Sequence, residues 1–171
     1  EVPICAPSRA SLLTGLYPHQ HGYVSNETWS SAAGKGFADP TAVELLKQAG
    51  YRTCLVGKWH LKPQPWKAGF EELRAWMPHG GDAYVNPELA YGLKDDTKEW
   101  KGHVTEIFTD ESIELLRDLS REREKPWFLW LSYTAPHTPQ KPVPEHISAL
   151  YKDLPPEHRP EGEHVEWIPG Y

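Results

Sequence analysis

The sequence predicts an α/β fold with a mainly parallel sheet, because two stretches each join a helical pattern to an apolar strand. The first unit has a predicted helix over residues 41–49 followed by a strand over 51–56. The second has a helix over 105–123 followed by a strand over 127–133. Helices that alternate with short, mostly apolar strands are typical of parallel sheets, whose faces the helices cover.

The first unit carries clear boundary signals. Asp39 can cap the helix, with Pro40 at its first position. Thr41 and Glu44 also match a capping box, so the start is signalled twice. Apolar residues recur on one face, and Gly50 ends the helix. The next six residues are mostly apolar, which predicts a short buried strand.

The second unit ends in the run Trp-Phe-Leu-Trp-Leu-Ser-Tyr over 127–133. This run is almost continuously apolar, so we expect a strand that is buried on both faces. Between the two units, residues 64–102 are rich in Gly, Pro and aromatic side chains, and we expect long loops there. His79 and Asp82 in this segment are expected to be ordinary surface or packing residues.

Composition limits the class of protein. The chain has 171 residues, of which 39% are hydrophobic, and this suffices for about one domain with a core. Its formal net charge of −6 argues against nucleic acid as the main partner. No apolar run approaches the roughly 20 residues of a membrane span. The two cysteines are too few for a disulfide framework.

A reactive side chain lies at the start of a third predicted helix. Pro7 suits a first helical position and Gly15 suits the end, so Cys5 is expected just outside the helix N-terminus. Free N–H groups and the helix dipole favour an anion at such a place. Arg9, one turn further on, can direct its guanidinium to the same spot. These residues predict chemistry on an ester that carries an oxyanion.

Further candidates follow the two predicted strands. Lys58 and His60 come directly after the first strand and would project to the same side if the extended geometry persists. His137 follows the second strand between Pro136 and Pro139, which restrict the backbone on both sides. Ligand groups of open α/β sheets gather at the carboxyl ends of the strands. His137 is therefore a candidate for acid–base work.

Three motifs in this order resemble the type I sulfatases. The first is Cys-x-Pro-Ser-Arg at 5–9, which continues as Ala-Ser-Leu-Leu-Thr-Gly. The second is Gly-Lys-Trp-His-Leu at 57–61, and the third is Ala-Pro-His-x-Pro at 135–139. One departure concerns the second motif, where Lys62 stands in place of the family's Gly. The resemblance spans most of the chain.

The resemblance implies a fold and a mechanism. The fold would be part of the alkaline-phosphatase-like α/β/α sandwich. Cys5 would be oxidised after translation to formylglycine, whose aldehyde hydrate is the nucleophile. Arg9 and Lys58 would orient the sulfate oxygens. His60 would be the base that releases sulfate, and His137 would bind sulfate and assist the leaving alcohol. The reaction is hydrolysis of a sulfate ester to an alcohol and sulfate.

The resemblance also implies a cofactor, partners and an organisation of the chain. The family uses a divalent cation, usually Ca²⁺, for which the residue derived from Cys5 is one ligand. The carboxylate ligands are expected outside this chain, which has no initiator Met, so we expect an internal fragment that is inactive alone. Residues 1–139 would be part of the catalytic domain and 140–171 a Pro-rich irregular extension of it. The partners would be a small-molecule or glycan sulfate ester and the maturation enzyme that generates formylglycine. The family's frequent export favours a periplasmic, secreted or lysosomal location.

Two other functions remain open at this point. A phosphonate or phosphate monoester hydrolase of the same superfamily can share the formylglycine motif. A catalytically inactive sulfatase-like binding protein would keep the fold and leave Cys5 as a thiol. A cysteine phosphatase is disfavoured, because its loop separates Cys and Arg by five residues, whereas three lie between Cys5 and Arg9.

Overall fold

A computed structural model of the chain describes residues 3–26, 37, 40–80, 83–138 and 143–153. In chain order the helices and strands are α1 (Cys5–Thr14), α2 (Pro18–His21), α3 (Ala42–Gln48), β1 (Arg52–Lys58), β2 (Glu72–Met77), β3 (Glu88–Leu89), β4 (Lys98–Glu99), α4 (Val104–Leu119), β5 (Trp127–Ser132) and α5 (Glu145–Ser148). Short 3-10 turns cover Pro65–Ala68 and Ala149–Tyr151. This is a mixed α/β architecture.

The main sheet has three parallel strands in the order β2-β1-β5. Strand β1 is central, and Leu55 lies opposite Leu73 of β2 on one side and Trp130 of β5 on the other. The expectation of long loops over 64–102 is therefore wrong for Glu72–Met77. This strand was missed because Glu72 and Arg74 interrupt its apolar residues.

Two helical layers cover the sheet. Leu55 and Leu73 pack in one buried cluster with Ala10 and Leu13 of α1 and Val43 of α3. On the other face, side chains of β1 and β2 pack against α4 in a second buried cluster, whose members include Cys54, Val56, Met77, Phe108 and Leu115. Neighbouring strand residues thus enter opposite layers, as the period of two requires. The result is a partial α/β/α sandwich, the predicted fold class.

The start of α3 confirms the capping box. Thr41 is the N-cap, and its hydroxyl accepts a hydrogen bond from the Glu44 backbone N–H at 3.1 Å. In return the Glu44 carboxylate accepts from the Thr41 N–H at 2.8 Å. The alternative cap, Asp39, lies outside the described residues. Gly50 follows the helix with a φ of 89°, which suits the predicted stop.

Strand β5 differs from its prediction. Trp127 and Leu131 are 45% and 38% exposed, so the strand is not buried on both faces. Phe128 and Trp130 pack partly against the α1 and α3 side. The reason is positional: among the described residues β5 pairs only with β1 and forms the edge of the sheet. A cavity of about 810 Å³ lies between α1, α3 and β5.

The structure describes only residues 143–153 of the predicted C-terminal extension. Residues Glu145–Ser148 form α5, and Ala149–Tyr151 form a 3-10 turn. Most of the proposed extension over 140–171 lies outside the described residues. None of the helices in the described part of the chain is long and apolar enough to cross a membrane.

Candidate active site

The candidate site lies at one edge of the sheet, where its three parallel strands end. Strand β1 ends at Lys58, and His60 follows two residues later. Strand β2 ends at Met77 and leads to His79, while β5 leads through a short loop to His137. Parallel strands have their carboxyl ends at the same edge, so segments distant in sequence meet here.

Cys5 is the first residue of α1, whose N-cap is Ile4. The expected start at Pro7 is therefore two residues too late. Pro7 fits inside the first turn because its absent N–H would have had no helical partner there. The N–H of Ala6, which the helix also leaves unpaired, donates to the Asn26 side chain at 3.0 Å. Asn26 thus anchors the start of α1, a role that the residues around Asn26 in the sequence do not indicate.

Arg9 joins α1 to the end of the central strand. Its Nη1 donates to the Lys58 carbonyl oxygen at 2.7 Å. Burial lowers the pKa of Arg9, and its attraction to Cys5 opposes that shift. Arg9 is therefore near enough to Cys5 for the two side chains to interact electrostatically. The guanidinium is positioned by a backbone contact that no local pattern specifies.

Lys58 and His60 reach the site by a backbone turn and not by continued strand geometry. Lys58 is the last residue of β1 and is almost fully buried. Gly57 and His60 have φ values of 101° and 55°, so the expected extended geometry does not persist. The Nδ1 atom of His60 is buried and has no hydrogen-bond partner in the described part of the protein. A buried polar atom of this kind suits a group that binds or transfers a proton.

The electrostatic surroundings of His60 define the site. Its pKa is lowered from 6.5 to about 4, first by burial and then by four nearby groups that carry or can carry positive charge: Lys58, Arg9, His137 and His79. The imidazole is therefore neutral at pH 7. Four such groups from four parts of the chain attract an anion, and a neutral imidazole beside them can accept a proton.

His137 is held through its backbone. Its N–H donates to the Thr134 carbonyl at 3.0 Å, and its own carbonyl accepts from the Tyr84 hydroxyl at 2.6 Å. The ring Nδ1 lies 2.6 Å from the Thr138 carbonyl oxygen, which fits a protonated Nδ1 as the donor. The prediction that His137 lies on a fixed loop at a strand end is confirmed.

The loop after β2 adds residues that were not predicted for the site. His79 is exposed yet close enough to lower the pKa of His60. Gly80 packs against the His60 ring, since a Cβ at this position would lie 2.8 Å from Cε1 and Nε2. The expectation that His79 is an ordinary surface residue is incomplete. Asp82 lies outside the described residues.

The described residues do not form a calcium site. They include no group of three or more His, Cys, Asp or Glu side chains arranged to hold a metal ion. Ca²⁺ requires six to eight oxygen ligands, of which position 5 would supply only a part. The described geometry brings positively charged or chargeable side chains and a neutral imidazole together at the strand ends of an α/β/α sandwich.

The chain belongs to the sulfatase family. The sequence model of this family, described as Sulfatase, matches residues 1–159. The match includes every candidate residue of the site, from Cys5 to His137. The solved structures that resemble the chain are sulfatases of the alkaline-phosphatase-like fold, which confirms the predicted fold family.

Two curated relatives illustrate the similarity. The N-acetylglucosamine-6-O-sulfatase of Bacteroides thetaiotaomicron is 31% identical over 154 residues, which are 90% of this chain and 26% of the relative. The human N-acetylgalactosamine-6-sulfatase is 30% identical over 167 residues, covering 80% of this chain and 31% of the relative. The chain thus spans less than a third of the length of either protein.

Solved structures agree with the sequence comparison. The structure of BT4656 in complex with its substrate D-glucosamine-2-N,6-O-disulfate has a TM-score of 0.71 and 32% identity, covering 91% of this chain and 29% of that one. The structure of Ps i-CgsB in complex with k-i-k-neocarrahexaose has a TM-score of 0.77 and 27% identity, covering 90% and 39%.

Proposed function

We propose that the protein hydrolyses a sulfate ester of a sugar, with the strand-end site as its active site. The observation that carries the proposal is the set of positively charged or chargeable groups around the neutral His60. A sulfate monoester is an anion, and its hydrolysis needs both charge stabilisation and proton transfer. The named sugar sulfatases and the sugar complexes among the relatives support a sugar as the carrier of the sulfate.

Arg9 and Lys58 bind and orient the sulfate group in this proposal. Both are cations near His60, and Arg9 is fixed by its bond to the Lys58 carbonyl. Charge-assisted hydrogen bonds to sulfate oxygens become stronger in a buried site, from which water is largely excluded. The two side chains would also stabilise the charge that develops on those oxygens as the ester S–O bond breaks.

His60 and His137 divide the proton transfers. Neutral His60 accepts a proton at its unpartnered Nδ1. His137, whose Nδ1 is engaged by the Thr138 carbonyl, donates from Nε2 to the oxygen of the leaving alcohol. The bound anion offsets the positive surroundings of His60 and raises its pKa, so the base becomes stronger when substrate is present.

The nucleophile is proposed to come from Cys5. A formylglycine at this position would supply a hydrated aldehyde whose oxygen attacks sulfur. Cys5 is partly exposed at the start of α1, beside Arg9, so a nucleophile at this position would be accessible to substrate. This conversion is a proposal that the family membership supports.

Mass spectrometry of the peptide over residues 1–9, cut from the protein made in its native host, tests the nucleophile. Replacement of the Cys5 thiol by an aldehyde is the expected result. An unmodified thiol in a host that carries the maturation enzyme contradicts it and favours an inactive relative. Turnover of an aryl sulfate and an aryl phosphonate, measured side by side, separates sulfatase from phosphonate hydrolase activity.

In this proposal the residue derived from Cys5 would be one ligand of the family's Ca²⁺. The described residues supply no further set of oxygen ligands, so no step above depends on the cation. A formylglycine hydrate would provide one ligand oxygen, and carboxylates from outside the described residues would have to complete the site.

A further inference from the structure

A second cavity of about 890 Å³ lies beside the Ala135–Pro136 segment that leads to His137. We call it the α4 pocket. Its walls are the start of α4, the Ala135–Pro136 segment after β5, Tyr84, and a segment near α5. The lining residues of that last segment are Val143, Pro144, His146 and Ile147. This volume lies in the range of sites that hold a small molecule or one to two sugar rings.

Two residues that line the α4 pocket are directly connected to His137 of the proposed catalytic site. Pro136, which lines the pocket, directly precedes His137. Tyr84, which also lines the pocket, donates its hydroxyl proton to the His137 carbonyl. A substrate with its sulfate beside His137 would therefore extend its next group along this backbone toward the pocket.

The lining combines apolar surface with acidic groups. Val143 and Ile147 are 48% and 40% exposed, and with Pro136 they offer an apolar wall. Glu106 and Asp110, one turn apart on α4, are both exposed along the cavity. Carboxylates accept hydrogen bonds from hydroxyl and ammonium groups, and apolar walls pack against the C–H faces of a ring.

Glu106 and Asp110 are acidic, and no Lys or Arg is among the described residues that line the pocket. His103 caps α4, because its Nδ1 accepts a hydrogen bond from the Thr105 N–H. His146 lies 3.6 Å from the Glu106 carboxylate and reduces its charge only when protonated. The positive end of the α4 dipole is offset by Glu106, which lies in the first turn.

We propose that the α4 pocket binds the sugar residue next to the sulfated one and selects an uncharged or amino sugar over an acidic one. This inference rests on the proposed function. A uronate or a second sulfate ester would place its negative charge against Glu106 and Asp110, and like charges disfavour binding. The ammonium group of an amino sugar would donate charge-assisted hydrogen bonds to the same two carboxylates.

The test measures binding of methyl glucosaminide and methyl glucuronide to the protein by saturation-transfer NMR titration. Methyl glucosaminide should bind about tenfold more tightly, which corresponds to one charge-assisted hydrogen bond. The double variant Glu106→Gln/Asp110→Asn keeps the shape of the pocket and should abolish this preference. Glu114→Gln, further along α4 and outside the pocket, is the matched control and should retain it.

Equal affinity for the two sugars, or a preference that survives in the double variant, overturns the inference. A titration with inorganic sulfate on the same samples tests the catalytic site separately, because sulfate should perturb the His60 and His137 rings. Sulfate binding without sugar selectivity rejects the pocket alone. Absence of sulfate binding at those rings rejects the proposed function whatever the sugars do.

Discussion

His60 shows how one residue combines several physical effects. Burial removes water from its ring, and Lys58 and Arg9 add positive charge nearby. Each of these disfavours the protonated imidazole, so the folded protein holds it neutral well below the pH at which a free histidine becomes protonated. The same positive groups are the ones proposed to hold sulfate, so anion binding and base strength are linked.

The shift of His60 predicts a pH dependence of stability. The unfolded chain binds the proton near pH 6.5, whereas the folded protein binds it only near pH 4. Between these values the unfolded state holds more protons, so the stability due to neutral His60 is complete above pH 6.5 and is lost as pH falls toward 4. NMR titration of the ring should show a midpoint near 4, which moves upward when sulfate is added.

The variant His60→Asn provides the control for that titration. It cannot be protonated in this range, so its free energy of unfolding should fall less than that of the wild type between pH 7 and pH 4.5. Urea denaturation at the two pH values measures the difference. A His60 midpoint close to 6.5, or identical pH profiles for the two proteins, would contradict the assigned surroundings.

Arg9→Lys tests the role of the guanidinium. Lysine keeps the charge but loses the fork that can donate to the Lys58 carbonyl and to an anion together. We expect inorganic sulfate to bind about tenfold more weakly, the equivalent of one charge-assisted hydrogen bond. Calorimetric titration measures this. Arg117→Lys, on the exposed face of α4, should leave the affinity unchanged, and an equal loss in both variants would disprove a specific role.

At the scale of elements, the start of α3 depends on one buried hydroxyl. Thr41 is fully buried, and its Oγ1 accepts from the Glu44 N–H while donating to the Ala68 carbonyl at 2.7 Å. The first bond caps the helix, and the second ties it to the turn that precedes β2. The element thus depends on a residue that acts locally and over a distance of 27 positions.

Thr41→Ala should lower the free energy of unfolding by about 2–3 kcal/mol. Loss of the cap costs about 1 kcal/mol, and the Ala68 carbonyl left without a partner adds 1–2 more, on the order of a buried unsatisfied group. Thr41→Ser keeps the hydroxyl and should cost less than half as much. Urea denaturation separates the two. Similar losses in both variants would show that the methyl group, and not the hydroxyl, stabilises this region.

At the scale of the whole molecule, the pairing of β1 with β5 brings the strand ends together. Gly57 of β1 lies opposite Ser132 of β5, and a Cβ at this position would be 2.1 Å from the Ser132 carbonyl oxygen. Its φ of 101° also lies in a region that other residues adopt only with strain. Lys58 and His60 follow directly, so this glycine fixes both the sheet and the direction in which the site residues leave it.

Gly57→Ala should therefore destabilise the protein by more than about 3 kcal/mol, because backbone strain and a clash with Ser132 act together. Gly22→Ala is the matched comparison, since Gly22 has a φ of 84° but no atom within 4 Å of the added Cβ. Strain alone should cost about 1–2 kcal/mol there. If urea denaturation gave equal losses for both, close approach of β1 to β5 would not be the deciding factor.

The sequence was informative wherever a signal is local. The capping box of α3, the stop at Gly15, the two αβ units and the candidate residues at the strand ends all follow from spacing and residue type. Strand β2 was missed because Glu72 and Arg74 make it look polar, although Arg74 is held by ion pairs with Glu72 and with Asp118 of α4. Ion pairs between distant segments leave no local pattern.

The sequence by itself determined which chemical groups this protein brings to its site and on which elements they lie, because helix caps, strand runs and motifs act over a few neighbouring residues. The tertiary structure alone decided what those groups can do. It made His60 neutral, fixed Arg9 through the Lys58 carbonyl and brought His79 and Gly80 to the site. Burial and electrostatic interactions depend on residues far apart in the chain, so only the folded arrangement sets them.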